Sequence, residues 1–86
     1  MTMEDPKFHP SDEYLRQGKV YFRNRNYGLA EQSFRKAAEV SPRDTEAWLG
    51  LAASSDHLRR FELADQAYEK VLQLAPQNAT ILNNAG

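Results

Sequence analysis

An all-α chain made of two stacked copies of one antiparallel helical hairpin is predicted by three observations. The 86-residue sequence superimposes on itself at a shift of 34 residues, pairing Leu15 with Leu49, Leu29 with Leu63, Ala30 with Ala64, Gln32 with Gln66, Lys36 with Lys70 and Pro42 with Pro76. Tyr14 with Trp48, Tyr27 with Phe61 and Phe34 with Tyr68 keep an aromatic in each slot, as an internal repeat does. Within each copy the apolar residues recur at helical spacing, and breakers stand between the runs.

The elements follow in order. The repeat divides the chain into a tail at 1–10, expected to be disordered or extended, units at 11–44 and 45–78, and a remainder at 79–86 that reads as the start of a third unit or a capping helix. The first helix of unit 1 is expected over about 12–24, with Tyr14, Gly18 and Tyr21 on one stripe. Its second helix is expected over about 28–40, with Ala30, Phe34, Ala37 and Ala38 facing inward. In unit 2 the helices are expected over about 45–58, carrying Trp48, Leu51, Ala52 and Ser55, and about 62–75, carrying Ala64, Ala67, Tyr68 and Val71. Ser11, Asn26, Asp44 and Asn78 stand where an N-cap oxygen would accept from unpaired backbone N–H groups, and Pro42 and Pro76 stop the preceding helices. Arg60 replaces the cap at the second hairpin turn, so that turn is expected to fray more easily than the one at Asn26.

Composition narrows the function classes. A net charge of −1 and the lack of a basic stripe argue against nucleic-acid binding. No cysteine is present, which removes disulfides, thiolate metal sites and cysteine nucleophiles. No apolar run approaches the length of a membrane span, and residues 1–10 lack the regions of a secretory signal, so direct membrane insertion is not expected.

The residues resemble the tetratricopeptide repeat family. Its pattern of an aromatic, Gly, Tyr, Ala-x3-Phe and a closing Pro is met by Tyr14, Gly18, Tyr21, Ala30, Phe34, Ala37 and Pro42, with Gln17 where Leu is usual. Unit 2 supplies Trp48, Leu51, Ala52, Ala64, Tyr68, Val71 and Pro76, with Ser55 where Tyr is usual. The resemblance implies a short right-handed α-solenoid and a non-enzymatic interaction module without cofactor. The phrases Asn26-Tyr-Gly-Leu-Ala-Glu, Glu46-Ala-Trp-Leu-Gly-Leu-Ala-Ala, Arg60-Phe-Glu-Leu-Ala-Asp and Ile81-Leu-Asn-Asn are similar to the TadD-like tetratricopeptide lipoproteins of bacterial Flp/Tad pilus assembly. That likeness implies a secretin or another pilus assembly component as partner and a periplasmic, outer-membrane-associated location. A cytoplasmic location is the expectation if the chain is complete as given.

By the same resemblance, the first helices line a concave groove with Leu15, Arg16, Lys19, Phe22 and Arg23 beside Leu49, Ala53, Asp56 and His57. Phe22 and Leu15 would supply apolar area and Lys19, Arg23 and Arg16 cations, a combination suited to an amphipathic or acidic peptide. The alternative makes Phe22 a core-edge residue and the charges a solvated helix face. The family's clamp for a C-terminal carboxylate is not expected, because Leu15, Lys19 and Gly50 stand in its Lys and Asn positions. A second surface is expected at the far end, where Val71, Leu72, Leu74, Ile81 and Leu82 lack a cover and offer a self-association face. Unit 1 carries 7 basic and 5 acidic residues and unit 2 carries 3 and 5, a polarity of +2 against −2 that favours head-to-tail contact between copies.

Catalysis is not expected. Ser54, Ser55, Asp56 and His57 hold the ingredients of a hydrolase triad, yet neighbours on a helix do not face one another. His57 and His9 lack further ligands at metal spacing. Gly18, Gly28, Gly50 and Gly86 form no phosphate loop and read as helix-contact glycines, and Asn78 reads as a cap rather than a glycosylation site.

Overall fold

In a computed structural model, which describes residues 10–74, four helices run α1 (Asp12–Arg23), α2 (Tyr27–Val40), α3 (Thr45–His57) and α4 (Phe61–Leu74). The boundaries fall within about two residues of the expected ones because the repeated apolar spacing and the turn residues agree. The expectations for residues 1–9 and 75–86, including those on His9, Asn78, Ile81 and Leu82, lie outside the described residues. α1 packs on α2, α2 on α3 and α3 on α4, with a smaller contact between α1 and α3. This is two hairpins stacked side by side, the arrangement that buries a face no single hairpin covers.

The core is built from small residues around one ring. Ala30, Ala37, Ala38, Ala47, Ala52 and Ala67 are buried together with Leu15, Leu51 and Phe34. Alanine lets helix axes approach closely, and Phe34 fills the space where α1, α2 and α3 meet. Two glycines make that fit available: a Cβ on Gly18 would stand 2.9 Å from the Phe34 ring, and one on Gly50 would overlap it outright. Gly18 and Gly50 are therefore helix-contact glycines, whereas Gly28 has open space beside it.

The helix ends depart in part from expectation. Asp44 does cap α3, its Oδ1 accepting from the Glu46 N–H at 3.0 Å. Ser11 does not cap α1; its buried hydroxyl donates instead to Asp44 Oδ2 at 3.0 Å. That bond ties the entrance of unit 1 to the entrance of unit 2. Asn26 makes no side-chain cap either.

Both hairpin turns close the same way. Arg25 and Arg59 adopt φ of 66° and 65°, the left-handed region that glycine usually supplies after a helix. Arg25 N–H donates to Phe22 O at 3.0 Å and Asn26 N–H to Tyr21 O at 2.8 Å; Arg59 N–H donates to Asp56 O at 3.0 Å and Arg60 N–H to Ser55 O at 2.8 Å. The turn at Arg60 has a further anchor, because Arg60 Nη1 donates to Glu31 Oε1 at 2.8 Å. The difference expected between the two turns thus finds no counterpart in side-chain caps, and a contact between units holds the one expected to be weaker.

Glu31 itself is 2% exposed. Its other carboxylate oxygen accepts from the Ser55 hydroxyl at 2.8 Å, and Arg35 lies 3.8 Å away on the same helix face. A carboxylate is held out of water only with its partners in place, so this cluster fixes the angle at which α3 and its turn sit on α2.

Candidate functional site

Stacking of the two hairpins sets α1 beside α3, and α2 closes the space beneath them. The result is a groove of about 510 Å³ lined by Lys19, Phe22 and Arg23 of α1, Phe34 of α2, and Glu46, Leu49, Gly50 and Ala53 of α3. Its surface is mainly apolar, and Phe34 forms the floor because Gly50 leaves room above the ring. Leu49 is exposed on its rim.

Of the nine residues expected there, Lys19, Phe22, Arg23, Leu49 and Ala53 come together. Leu15 does not: it stands one turn before Lys19 on the same face of α1, but at 7% exposure it belongs to the core cluster. Arg16 points to another side of α1, its Nη2 paired with Glu13 at 2.7 Å beside Gln17, Val20 and Tyr21. Asp56 is an exposed residue near the end of α3 that does not line the groove.

His57 acts through Phe22. Its imidazole stacks on the Tyr27 ring at 4.1 Å with planes 5° apart, and Phe22 meets both rings edge-on at 5.1 and 5.3 Å. Three helices contribute one ring each, so the groove wall at Phe22 is positioned by aromatic packing rather than left free. His57 remains an exposed residue while it makes these ring contacts.

Charge in the groove is asymmetric. Lys19 and Glu46 form an ion pair across it, from α1 to α3. Arg23 has no ion-pair partner among the described residues. Phe34, Glu46 and Gly50 were not among the groove residues expected from sequence; Gly50 inside a helix, together with the aromatic that both copies keep at Phe34 and Tyr68, was the available signal for the first and last.

Val71, Leu72 and Leu74 of the expected self-association face lie on α4. Leu72 is 61% exposed, and Val71 and Leu74 are half-buried. Tyr68 and Phe61 are exposed on the same helix.

No triad forms from residues 54–57. The Ser55 hydroxyl is committed to Glu31, His57 stacks on Tyr27, and the buried Ser54 hydroxyl has no hydrogen-bond partner. Among the described residues no cluster of His, Asp or Glu could hold a metal ion, and no helix is long and apolar enough to cross a membrane.

The model of the family described as tetratricopeptide repeat matches residues 15–79, which span both hairpins. The chain belongs to the tetratricopeptide repeat family. Repeats of this family generally form protein-protein interaction scaffolds. It is 35% identical over 75 residues to the type IV pilus assembly protein PilF of Pseudomonas aeruginosa, covering 87% of this chain and 30% of that one. It is 41% identical over 59 residues to the peroxisomal targeting signal receptor of Kluyveromyces lactis, covering 69% and 10% respectively. With subunit 3 of the anaphase-promoting complex of Schizosaccharomyces pombe it shares 30% identity over 82 residues, 95% of this chain and 12% of the relative. The repeat therefore spans less than a third of each of these curated relatives. No solved structure matches the chain significantly.

Proposed function

We propose that this repeat pair is a non-catalytic recognition module that holds a segment of a partner protein in the groove between α1 and α3. The observation that carries the reading is the joint construction of that groove: both units supply a wall, and the aromatic cluster of Phe22, Tyr27 and His57 holds one wall in place without a ligand. A preformed apolar trough lowers the ordering cost of capturing a flexible segment.

A pilus assembly machine is the proposed setting, with a secretin or another assembly component as partner. The similarity to a type IV pilus assembly protein and the pilus-like phrases in both units support it. A periplasmic, outer-membrane-associated location accompanies that proposal. The test is capture of purified pilus secretin and assembly components by the wild-type chain and by Phe22→Glu, with far-UV circular dichroism showing that the variant stays folded. Retention by wild type and loss in the variant is expected. Equal retention by both would remove the groove from the reading, and retention of no pilus component would remove the setting.

A second reading rests on α4, where Leu72 and Tyr68 are exposed. Here the face of Val71, Leu72 and Leu74, extended in sequence by Ile81 and Leu82, pairs with another copy. Head-to-tail contact in the register of the internal repeat would set Arg16 over Tyr68 where Gly50 sits over Phe34, a position with no room for a side chain. A dimer through α4 must therefore use a different register. Sedimentation across concentration decides it: association weakened by Leu72→Glu supports this reading, and a strict monomer ends it.

A further inference from the structure

We infer that the groove is selective for a segment carrying a bulky apolar side chain with an Asp or Glu a few positions away, and that Arg23 is the residue that receives the carboxylate. The inference rests on the proposed groove function and names the chemistry of its occupant. Three observations carry it. The walls and floor supplied by Phe22, Leu49, Ala53 and Phe34 are apolar, and the volume of about 510 Å³ lies in the range of pockets that enclose a few side chains. Of the two cations at the groove, Lys19 is already neutralised by Glu46 from the opposite wall. Arg23 is an exposed cation at the same groove with no described partner, so the site as a whole carries one uncompensated positive charge.

Charge and shape then act on different parts of the ligand. The apolar side chain enters over Phe34, where water is displaced from a mainly apolar surface. The guanidinium of Arg23 offers a planar fork to a carboxylate, a geometry a lysine does not reproduce. Glu46 has the opposite effect on an acidic segment. By holding Lys19 it withholds a second cation, and it stands as a like charge if Lys19 leaves it. The cross-groove pair therefore sets how many acidic groups the groove accepts: one, at the Arg23 side.

The experiment selects ligands for the full chain from a random linear peptide library and measures the winners, as labelled synthetic peptides, by fluorescence anisotropy. Selected peptides are expected to share the apolar-plus-acidic pairing. Arg23→Glu should weaken them about tenfold or more, the loss of one charge-assisted contact. Replacing the peptide's acid by Lys should restore binding to that variant, and Arg23→Lys should retain only part of the wild-type affinity. Glu46→Gln, which frees Lys19, should tighten acidic peptides several-fold. Phe22→Glu and Leu49→Glu separate the two levels of the argument. If these abolish binding while Arg23→Glu leaves it unchanged, the groove reading survives and the carboxylate assignment is overturned. If peptides bind independently of Phe22 and Leu49, or if the library yields no binder, the groove reading falls and this inference with it.

Discussion

The second helices of the two units, α2 and α4, carry one pattern and meet different fates. Phe34 is 4% exposed and its counterpart Tyr68 is 39% exposed; Ala38 is buried and its counterpart Leu72 is largely exposed. Glu31 is sealed between units, whereas Asp65, at the same place in unit 2, is a surface residue. Helical period thus selects which face of a repeat is apolar, and only the neighbour that packs on that face decides whether it becomes core. The first helices make the same point in reverse. Glu13, Arg16 and Gln17 on α1 occupy the positions that Ala47, Gly50 and Leu51 hold on α3, so α1 presents charge where α3 presents a docking surface.

The largest effect should separate Phe34 from Tyr68. Phe34→Ala removes the ring on which α1, α2 and α3 converge and should destabilise the chain by about 3–5 kcal/mol in urea denaturation, against about 1 kcal/mol for Tyr68→Ala. Equal losses would mean that α4 is covered in solution and would break the comparison. Next comes the carboxylate pair. Glu31→Ala leaves the Ser55 hydroxyl buried without an acceptor and frees the half-exposed Arg60, an expected loss of about 2–3 kcal/mol. Asp65→Ala should stay within about 0.5 kcal/mol of wild type by the same measurement.

The hairpin turns predict a smaller change of opposite sign. Arg25→Gly and Arg59→Gly remove the strain of a left-handed backbone and should each stabilise by about 0.5–1 kcal/mol, read as a raised Tm. A smaller gain at Arg59 than at Arg25 would show that the Arg60 anchor to Glu31 already holds the second turn. The smallest effect belongs to the exposed face of α1. The hydrogen bond from Arg16, and then its charge, hold the Glu13 carboxyl below its usual value near 4.5. A lowered folded pKa means that this contribution is present above the usual carboxylate range and is lost as pH falls through the lowered value. Glu13→Gln should therefore flatten that part of the acid limb of the stability profile, a change detectable only by close pH sampling of the denaturation midpoint.

The four helices and their order were legible in the sequence. They depend on local spacing and on breakers such as Pro42, which act wherever the chain finds itself. The groove was legible in part: Lys19, Phe22, Arg23, Leu49 and Ala53 share the exposed faces of α1 and α3 that the repeat assigns to one side. Leu15 shares that face of α1, one turn before Lys19, yet is buried in the core cluster with Phe34, and Arg16 pairs with Glu13 three residues earlier.

What tertiary structure alone decided concerns residues whose partners are distant in the chain. Nothing near Glu31 announces burial; it is set by Ser55 and Arg60, which reach it only once the hairpins stack. Ser11 gives up its local cap for Asp44 in the next unit, and His57 leaves the groove lining to stack on Tyr27. Spacing along a helix fixes the direction of a side chain, whereas its partner depends on the approach of two surfaces. In this chain that approach is set by the close packing of alanine and glycine around Phe34.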